Sequence, residues 1–197
     1  MKSIIILCGG RSKRMGKDKG SLLLNDKPMV LHVLDTVKDV ADEIILVLRD
    51  TEQIENYNTI LNQSNMSLKV VADEIKDEGP LIGILTGLSH INSDYAQILP
   101  CDSPLISKDF VLKMFELAKK DNFEAIVPVW DNGHIEPLHS LYKKSTIETI
   151  QKLISKEKRN VSALIKDLNA KYIPVEILDK TTMSFQNINT IKEFKDI

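Results

Sequence analysis

The chain is poor in cysteine, with two among its 197 residues, Cys8 and Cys101. They form no C-x-x-C spacing, and no zinc pattern draws in the four histidines. A disulfide framework and a zinc-built fold are therefore not what holds it together. Each cysteine follows an apolar, strand-like run, which predicts buried free thiols in a reducing compartment. Net charge is also scarce: 26 basic against 28 acidic residues leave −2. That balance argues against a general nucleic-acid binder and makes any anion site a local one. No apolar run approaches the length of a membrane-crossing helix. The first, Ile4 to Cys8, also lacks the length and small-residue cleavage site of a secretion signal. The expectation is a cytoplasmic protein with neither nucleic acid nor membrane as a partner. Internal repeats and low-complexity segments are missing too. What is present is ordinary for a globular protein: 43% hydrophobic and 27% charged residues, in a chain long enough for one domain, 1–197, with a three-layer core.

Against that plain background one stretch stands out, Ile4 to Lys19, reading I-I-I-L-C-G-G-R-S-K-R-M-G-K-D-K. It opens as an apolar run short enough to be a fully buried strand. The run breaks at Cys8-Gly9-Gly10, where glycine lets the backbone approach a ligand with no Cβ in the way. Arg11, Lys13 and Arg14 follow within four positions, and Lys17 and Lys19 flank Asp18. Strand, glycine turn and cation cluster together suit a polyphosphate: backbone N–H groups cradle oxygens while Lys and Arg neutralise charge. The plainer alternative is a strand-to-helix turn with a solvated basic face. The string is neither a Walker A loop nor G-x-G-x-x-G.

The rest of the chain alternates. Asn25-Asp26 before Lys27-Pro28 reads as a turn, and Met29 to Val40 has helical spacing with Pro28 at its start. Glu43 to Leu48 is a second buried strand, Glu52 to Gln63 a polar helix, and Leu68 to Asp73 a third strand. That β-α-β-α-β order implies a parallel sheet with helices on both faces and ligand sites at the carboxyl ends of strands. Gly79-Pro80-Leu81 opens an apolar helix in which Gly87 permits close packing on the sheet. Tyr95 to Cys101 is a strand running into Asp102, held between Pro100 and Pro104. Proline stiffens that turn, so Asp102 is presented rigidly at a strand end. A carboxylate so placed, facing a phosphate loop, is what Mg²⁺ requires, since that ion takes one or two carboxylates plus phosphate oxygens and water. The competing role, capping the next helix, suits Ser107 or Asp109 better. Phe110 to Lys120 is an amphipathic helix, Ala125 to Val129 a strand, and Asp131-Asn132-Gly133 a hairpin turn between two strand-like runs. Ser145 to Lys156 and Ser162 to Leu168 are helices separated by a charged loop, and Tyr172 to Leu178 is a strand. Phe185-Gln186-Asn187-Ile188-Asn189-Thr190 precedes the terminal segment; by itself it is a turn with Thr190 as a helix cap.

The first string matches L-x-G-G-x-S-x-R-M-G-x-D-K, and so resembles the signature loop of nucleotidyltransferases related to the sugar-phosphate nucleotidylyltransferases. Its double glycine with R-S-x-R-M-G resembles the molybdenum cofactor guanylyltransferase family; relatives that transfer CMP usually carry Ala-Gly there. P-C-D-x-P around Asp102 resembles that family's metal motif, where the CMP-transferring relatives tend to show D-Q-P. Gly79-Pro80-Leu81 with Gly83-Ile84, the Gly133 to Tyr142 hairpin, and F-x-N-I-N-T complete five motifs in the family's order. The resemblance implies an α/β, three-layer Rossmann-like nucleotidyltransferase fold with a mostly parallel central sheet. It implies transfer of GMP from GTP to molybdenum-molybdopterin, giving the guanine dinucleotide form of the cofactor and pyrophosphate, with Mg²⁺ as cofactor and molybdopterin-handling proteins as further partners. Carried over by position, Leu7, Cys8, Gly9 and Gly10 hold the nucleotide through their backbone. Arg14 meets the leaving phosphates, Lys19 the α-phosphate, and Asp102 the metal. Asp73 contacts the guanosine portion, and Gly79, Pro80 and Leu81 lie along the base. Asn187 and Asn189 bind on the acceptor side, where His134, His139, Arg159 and Asn160 are further candidates. Arg49 stands where the family often has Asn. A cytidylyltransferase, a sugar-phosphate nucleotidylyltransferase and a non-catalytic nucleotide-binding protein are the alternatives.

Overall fold

The computed structural model describes residues 1–9, 18–62, 67–73, 79–120 and 122–188. Its strands are β1 (Ser3–Leu7), β2 (Leu23–Leu24), β3 (Lys27–Pro28), β4 (Glu43–Leu48), β5 (Lys69–Ala72), β6 (Tyr95–Pro100), β7 (Ala125–Val129), β8 (Leu141–Lys143) and β9 (Ala170–Pro174). Its helices are α1 (Met29–Val37), α2 (Thr51–Leu61), α3 (Pro80–Ser89), α4 (Lys108–Lys120), α5 (Ile147–Ser155), α6 (Val161–Lys166) and α7 (Val175–Leu178). Seven of the strands form one sheet in the order β5-β4-β1-β6-β8-β7-β9. Only β8 runs against its neighbours, pairing antiparallel with both β6 and β7. The other described pairings in that sheet are parallel.

The apolar runs of β1, β4 and β6 read as continuous because both faces of the sheet are covered. Ile4 and Ile6 join a core with Val30, Val33 and Leu34 of α1 and Phe110 and Met114 of α4. Ile5, one residue out of phase, joins the opposite core with Leu81, Ile84 and Leu88 of α3 and Ile150 and Leu153 of α5. This is the three-layer α/β architecture expected. On α3, a Cβ at Gly87 would stand 2.5 Å from Ile5 Cγ2. Glycine there lets the helix sit against β1, and any larger residue would force overpacking worth about 1–3 kcal/mol.

Local signals held where they rested on torsions. Asn25 and Asp26 both take positive φ, at 49° and 60°, and join β2 to β3 as a tight hairpin. Ser107 caps α4, its Oγ accepting from the Phe110 N–H at 3.1 Å. Three expectations need correction. The strand expected over Tyr172 to Leu178 is β9 at Ala170–Pro174 followed by α7. The ladder ends at Pro174, which pairs with Val129, and buried Val175 and Leu178 then recur three apart, a helical spacing. After Gly133, at φ 82°, the return run makes a bridge between Ile135 and Val129, breaks into a 3₁₀ turn at Pro137–His139, and only then pairs antiparallel with β7 as β8, so the expected hairpin forms with its second strand interrupted. The first helix ends at Val37, not Val40. Among the described residues no helix is long and apolar enough to cross a membrane.

Candidate active site

Strand β1 lies between β4 and β6, both parallel to it. Its carboxyl end is therefore the place where the chain's crossovers part to either side, leaving a crevice. The register sets Leu7 beside Val47 and Pro100, and the residues just beyond these three strand ends make up the site.

On the β6 side, Cys101 N–H donates to the Leu7 carbonyl at 3.1 Å, so β1 and β6 stay paired up to Asp102. The Asp102 backbone carbonyl accepts from Ile188 N–H at 2.8 Å, which fastens the turn from behind. Its carboxylate remains partly open and meets Lys19: Nζ lies 2.8 Å from Oδ2. Lys19 begins a 3₁₀ turn, Lys19–Ser21, that Asp18 caps by accepting from Gly20 N–H at 3.3 Å. Gly20 explains how that turn can reach Asp102. A Cβ on it would collide with the Tyr57 hydroxyl and come within 3.2 Å of Cys101 Sγ. Tyr57 rises from α2, and burial pushes its phenol far above the ordinary range. Cys8 and Cys101 are both buried free thiols, as expected. Burial, helped by the neighbouring Cys101, drives the Cys8 thiol well above its usual range, so it is an unreactive packing group here.

On the β4 side the backbone is fixed by Gln53. Cys8 N–H donates to the Val47 carbonyl at 2.9 Å, and the Cys8 carbonyl accepts Gln53 Nε2 at 3.0 Å. Gln53 Oε1 accepts Arg49 N–H at 2.7 Å, while Gln53 N–H donates to Asp50 Oδ1 at 2.9 Å. Gln53 is nearly inaccessible, and sequence reasoning passed over it. The signal was available: D-x-x-Q at Asp50 to Gln53 is a capping-box pattern at the start of α2. The Arg49 guanidinium turns to Asp50, with Nε 3.1 Å from Oδ2, while its backbone lies 3.8 Å from where a Gly9 Cβ would be.

Asp73, just past β5, closes this side. Its Oδ2 is 3.2 Å from the Gly9 Cβ position, and both carboxylate oxygens lie within 4 Å of the corresponding point on Gly83. Two glycines thus make room for one carboxylate. Burial pushes its pKa from the ordinary 3.8 up to about 6, and the Thr86 hydroxyl offsets only part of that. Because the folded-state value lies above the unfolded one, the folded protein binds this proton more tightly. Stability at this group is therefore greatest below about 4 and is lost as pH rises through about 6. Asp73→Asn is expected to raise the melting temperature of the ligand-free protein above about pH 6, and to confer no gain near about pH 4. Melting curves across that range check it. GTP affinity measured on the same variant is expected to fall, and an unchanged affinity would remove Asp73 from the nucleotide set.

Gly79 precedes α3 at φ 86°, a conformation that favours glycine. Gly79 and Pro80 are exposed, whereas the Leu81 side chain is wholly buried, leaving only its backbone for a ligand. The Arg159 carbonyl stands 4.0 Å from the Gly79 Cβ position, so the charged loop before α6 borders the same crevice. Asn187 is exposed, with Oδ1 2.5 Å from Ser103 Oγ. His134 is an exposed turn residue, while His139 is 1% exposed and meets Ser103, the residue after Asp102, with Nε2 3.1 Å from its Oγ. The expectations for Gly10, Arg14 and Asn189, like those for Arg11, Lys13, Lys17 and Thr190, lie outside the described residues. The structure brings together Leu7, Cys8, Gly9, Lys19, Arg49, Asp73, Asp102 and Asn187 at one end of the sheet.

Residues 4–172 match the family model described as the MobA-like NTP transferase domain. A Methanothermobacter thermautotrophicus protein named as a probable molybdenum cofactor guanylyltransferase is 39% identical over 197 residues, spanning 99% of this chain and 98% of the relative. A Methanocaldococcus jannaschii protein of the same name is 34% identical, spanning 98% and 96% of the two chains. In three dimensions, the crystal structure of molybdopterin-guanine dinucleotide biosynthesis protein A from Archaeoglobus fulgidus superposes with a TM-score of 0.83. It is 25% identical and covers 100% of this chain and 96% of its own.

Proposed function

The chain belongs to the MobA-like NTP transferase family and, within it, to the molybdenum cofactor guanylyltransferases, and from that premise we propose that it transfers GMP from GTP to molybdenum-molybdopterin with release of pyrophosphate. The observation that carries this reading is the Lys19–Asp102 pair. Two motifs 83 residues apart in sequence deliver a cation and a carboxylate to 2.8 Å at the end of β1. The named relatives support the choice of guanine nucleotide and molybdopterin acceptor.

The chemistry is displacement at phosphorus between two anions. It needs charge neutralisation and in-line placement rather than a covalent nucleophile. The residues fit a divalent cation of the Mg²⁺ kind. Asp102 offers a rigidly held carboxylate with its side chain 13% exposed. An ion of this kind draws its other ligands from phosphates and water, so one protein carboxylate can hold it. Held by Asp102, such an ion would supply charge neutralisation to the triphosphate and Lewis-acid polarisation of its phosphoryl oxygens. Lys19, released from Asp102 when phosphate arrives, holds the α-phosphate. The Gly9 backbone approaches the nucleotide without a Cβ, together with Gly10. Asp73 takes the guanosine portion, and Gly79, Pro80 and Leu81 line the base through their backbone. Arg14 meets the leaving phosphates. Asn187 and Asn189 face the acceptor. The whole chain, 1–197, then acts as one domain, its N-terminal half for nucleotide and its C-terminal half for acceptor, in the cytoplasm.

The experiment is pyrophosphate release by the purified protein with Mg²⁺, molybdenum-loaded molybdopterin and each nucleoside triphosphate in turn. Release with GTP is expected. Release with CTP instead would place the chain's activity with the cytidylyl-transferring relatives, and binding without release would leave a non-catalytic nucleotide-binding role.

A further inference from the structure

Behind Asp102 the interior holds a run of polar side chains that the transfer itself does not consume. Ser103 is fully buried; its hydroxyl lies 2.5 Å from Asn187 Oδ1 and 3.1 Å from His139 Nε2. His139 ends the turn Pro137–His139, and its Nδ1 lies 3.5 Å from Glu136 Oε2. Glu136 Oε1 accepts Trp130 Nε1–H at 2.8 Å. Burial alone would raise the Glu136 pKa, but the nearby His139 ring and the Trp130 indole N–H outweigh it and hold the carboxyl below its ordinary range. Phe185 meets both rings edge-on, His139 at 5.4 Å and Trp130 at 6.0 Å between centroids. Three segments, 102–103, 130–139 and 185–188, are thus joined at the residue after Asp102.

The hydrogen-bond inventory gives the run a direction. The Ser103 hydroxyl has one proton and donates it to Asn187 Oδ1. The His139 contact is then made only when Nε2 carries a proton to donate. The Ser103 hydroxyl, buried with both of its contacts made, is held to one geometry. Burying imidazole, hydroxyl and carboxylate here is an expensive way merely to fill space.

We propose that His139 is a positioning residue for nucleotidyl transfer: by donating from Nε2 to Ser103 it locks the turn that presents Asp102, and through Asn187 it ties that turn to the acceptor side. His139 touches no substrate; it acts through Ser103. The proposal rests on the role given to Asp102 above.

The test uses the full chain and the variants His139→Leu, His139→Gln and Ser103→Ala. Glutamine carries an amide N–H that can reach Ser103 in place of the ring N–H, whereas leucine fills the volume with no donor. His139→Leu and Ser103→Ala are expected to lower kcat by about 10- to 100-fold, since misplacement of a reacting group by about 1 Å costs up to about 10²-fold, with KM for GTP changed less than about threefold. His139→Gln is expected to recover most of kcat. A second readout is independent of turnover: Mn²⁺ affinity in the presence of GTP, read from the Mn²⁺ electron paramagnetic resonance signal. It should weaken by about tenfold in the leucine and alanine variants and stay near wild type in the glutamine variant, as expected when a carboxylate ligand loses its support. Wild-type kcat and Mn²⁺ affinity in a cooperatively melting His139→Leu or Ser103→Ala protein would overturn the proposal. So would a glutamine variant as impaired as the leucine one. A wild-type protein that releases no pyrophosphate with any nucleotide refutes the functional reading, and the Mn²⁺ comparison then decides the positioning role by itself.

Discussion

Asp102→Ala is expected to abolish transfer, a loss of at least about 10³-fold, because in the role proposed for it the carboxylate holds a cation whose charge at the reacting phosphate would be worth several kcal/mol of transition-state stabilisation. Folding should survive. The turn is held by backbone rather than by the carboxylate: the Asp102 carbonyl accepts Ile188 N–H, and Cys101 N–H reaches Leu7 O. The one described ion pair that the substitution breaks leaves Lys19, 31% exposed, within reach of water, so no charge is stranded in the interior. Asp102→Asn sharpens the result. Asparagine keeps the shape and can still accept from Lys19 Nζ, but it removes the negative charge. If charge toward a cation is what matters, the two variants fail alike at any Mg²⁺ concentration. If Asp102 serves chiefly to place Lys19, the asparagine variant retains most of its turnover. Steady-state pyrophosphate release across a Mg²⁺ series separates the two, and near-native turnover in Asp102→Ala would remove the metal assignment altogether.

How much of this was legible before the fold was known differs residue by residue. Asp102 could be read because its signal is local: an apolar strand, then an acid between two prolines. Lys19 could be read because it stands in a contiguous string. That the two meet could not be read from either segment, since it depends on β6 lying beside β1, a choice of sheet order made by packing. Asp73 was placed at a strand end by its pattern. Its displaced pKa arises from Gly9 and Gly83 standing against it, residues from two other elements. His139 shows the limit most clearly. In sequence it is one histidine near a turn signal, indistinguishable from exposed His134. Its burial follows from Pro137 interrupting the return run and folding it into a 3₁₀ turn against Ser103 and Phe185. The strand expected at Tyr172 to Leu178 failed for a related reason. Apolar residues in a short run do not declare a period of two or three until something, here Pro174, ends the ladder.

Lys19→Ala is expected to lower kcat by about 10² to 10³-fold, the usual cost of losing one charge-assisted contact aimed at developing charge in the transition state. Lys19 Nζ rests on Asp102 Oδ2 at 2.8 Å, which keeps an ammonium waiting at the mouth of the site instead of ranging through solvent. Phosphate oxygens can take over from the carboxylate with little rearrangement, because the 3₁₀ turn beneath is already packed: Gly20 lies under Tyr57 and Cys101 with no room for a Cβ. Arginine should therefore rescue poorly. Its planar fork needs a wider approach than the point charge of lysine, and the turn cannot retreat to provide it. The comparison with Asp102 supplies the stringent check. If Lys19 and Asp102 act on the same phosphate, removing both should cost hardly more than removing Asp102 alone, since residues acting as a unit are strongly non-additive. Fully additive losses would mean that the two groups serve separate steps and that their contact in the ligand-free protein is incidental. A drop below about threefold in Lys19→Ala, with melting behaviour unchanged, falls so far short of that contact's expected worth that it would take Lys19 out of the catalytic set.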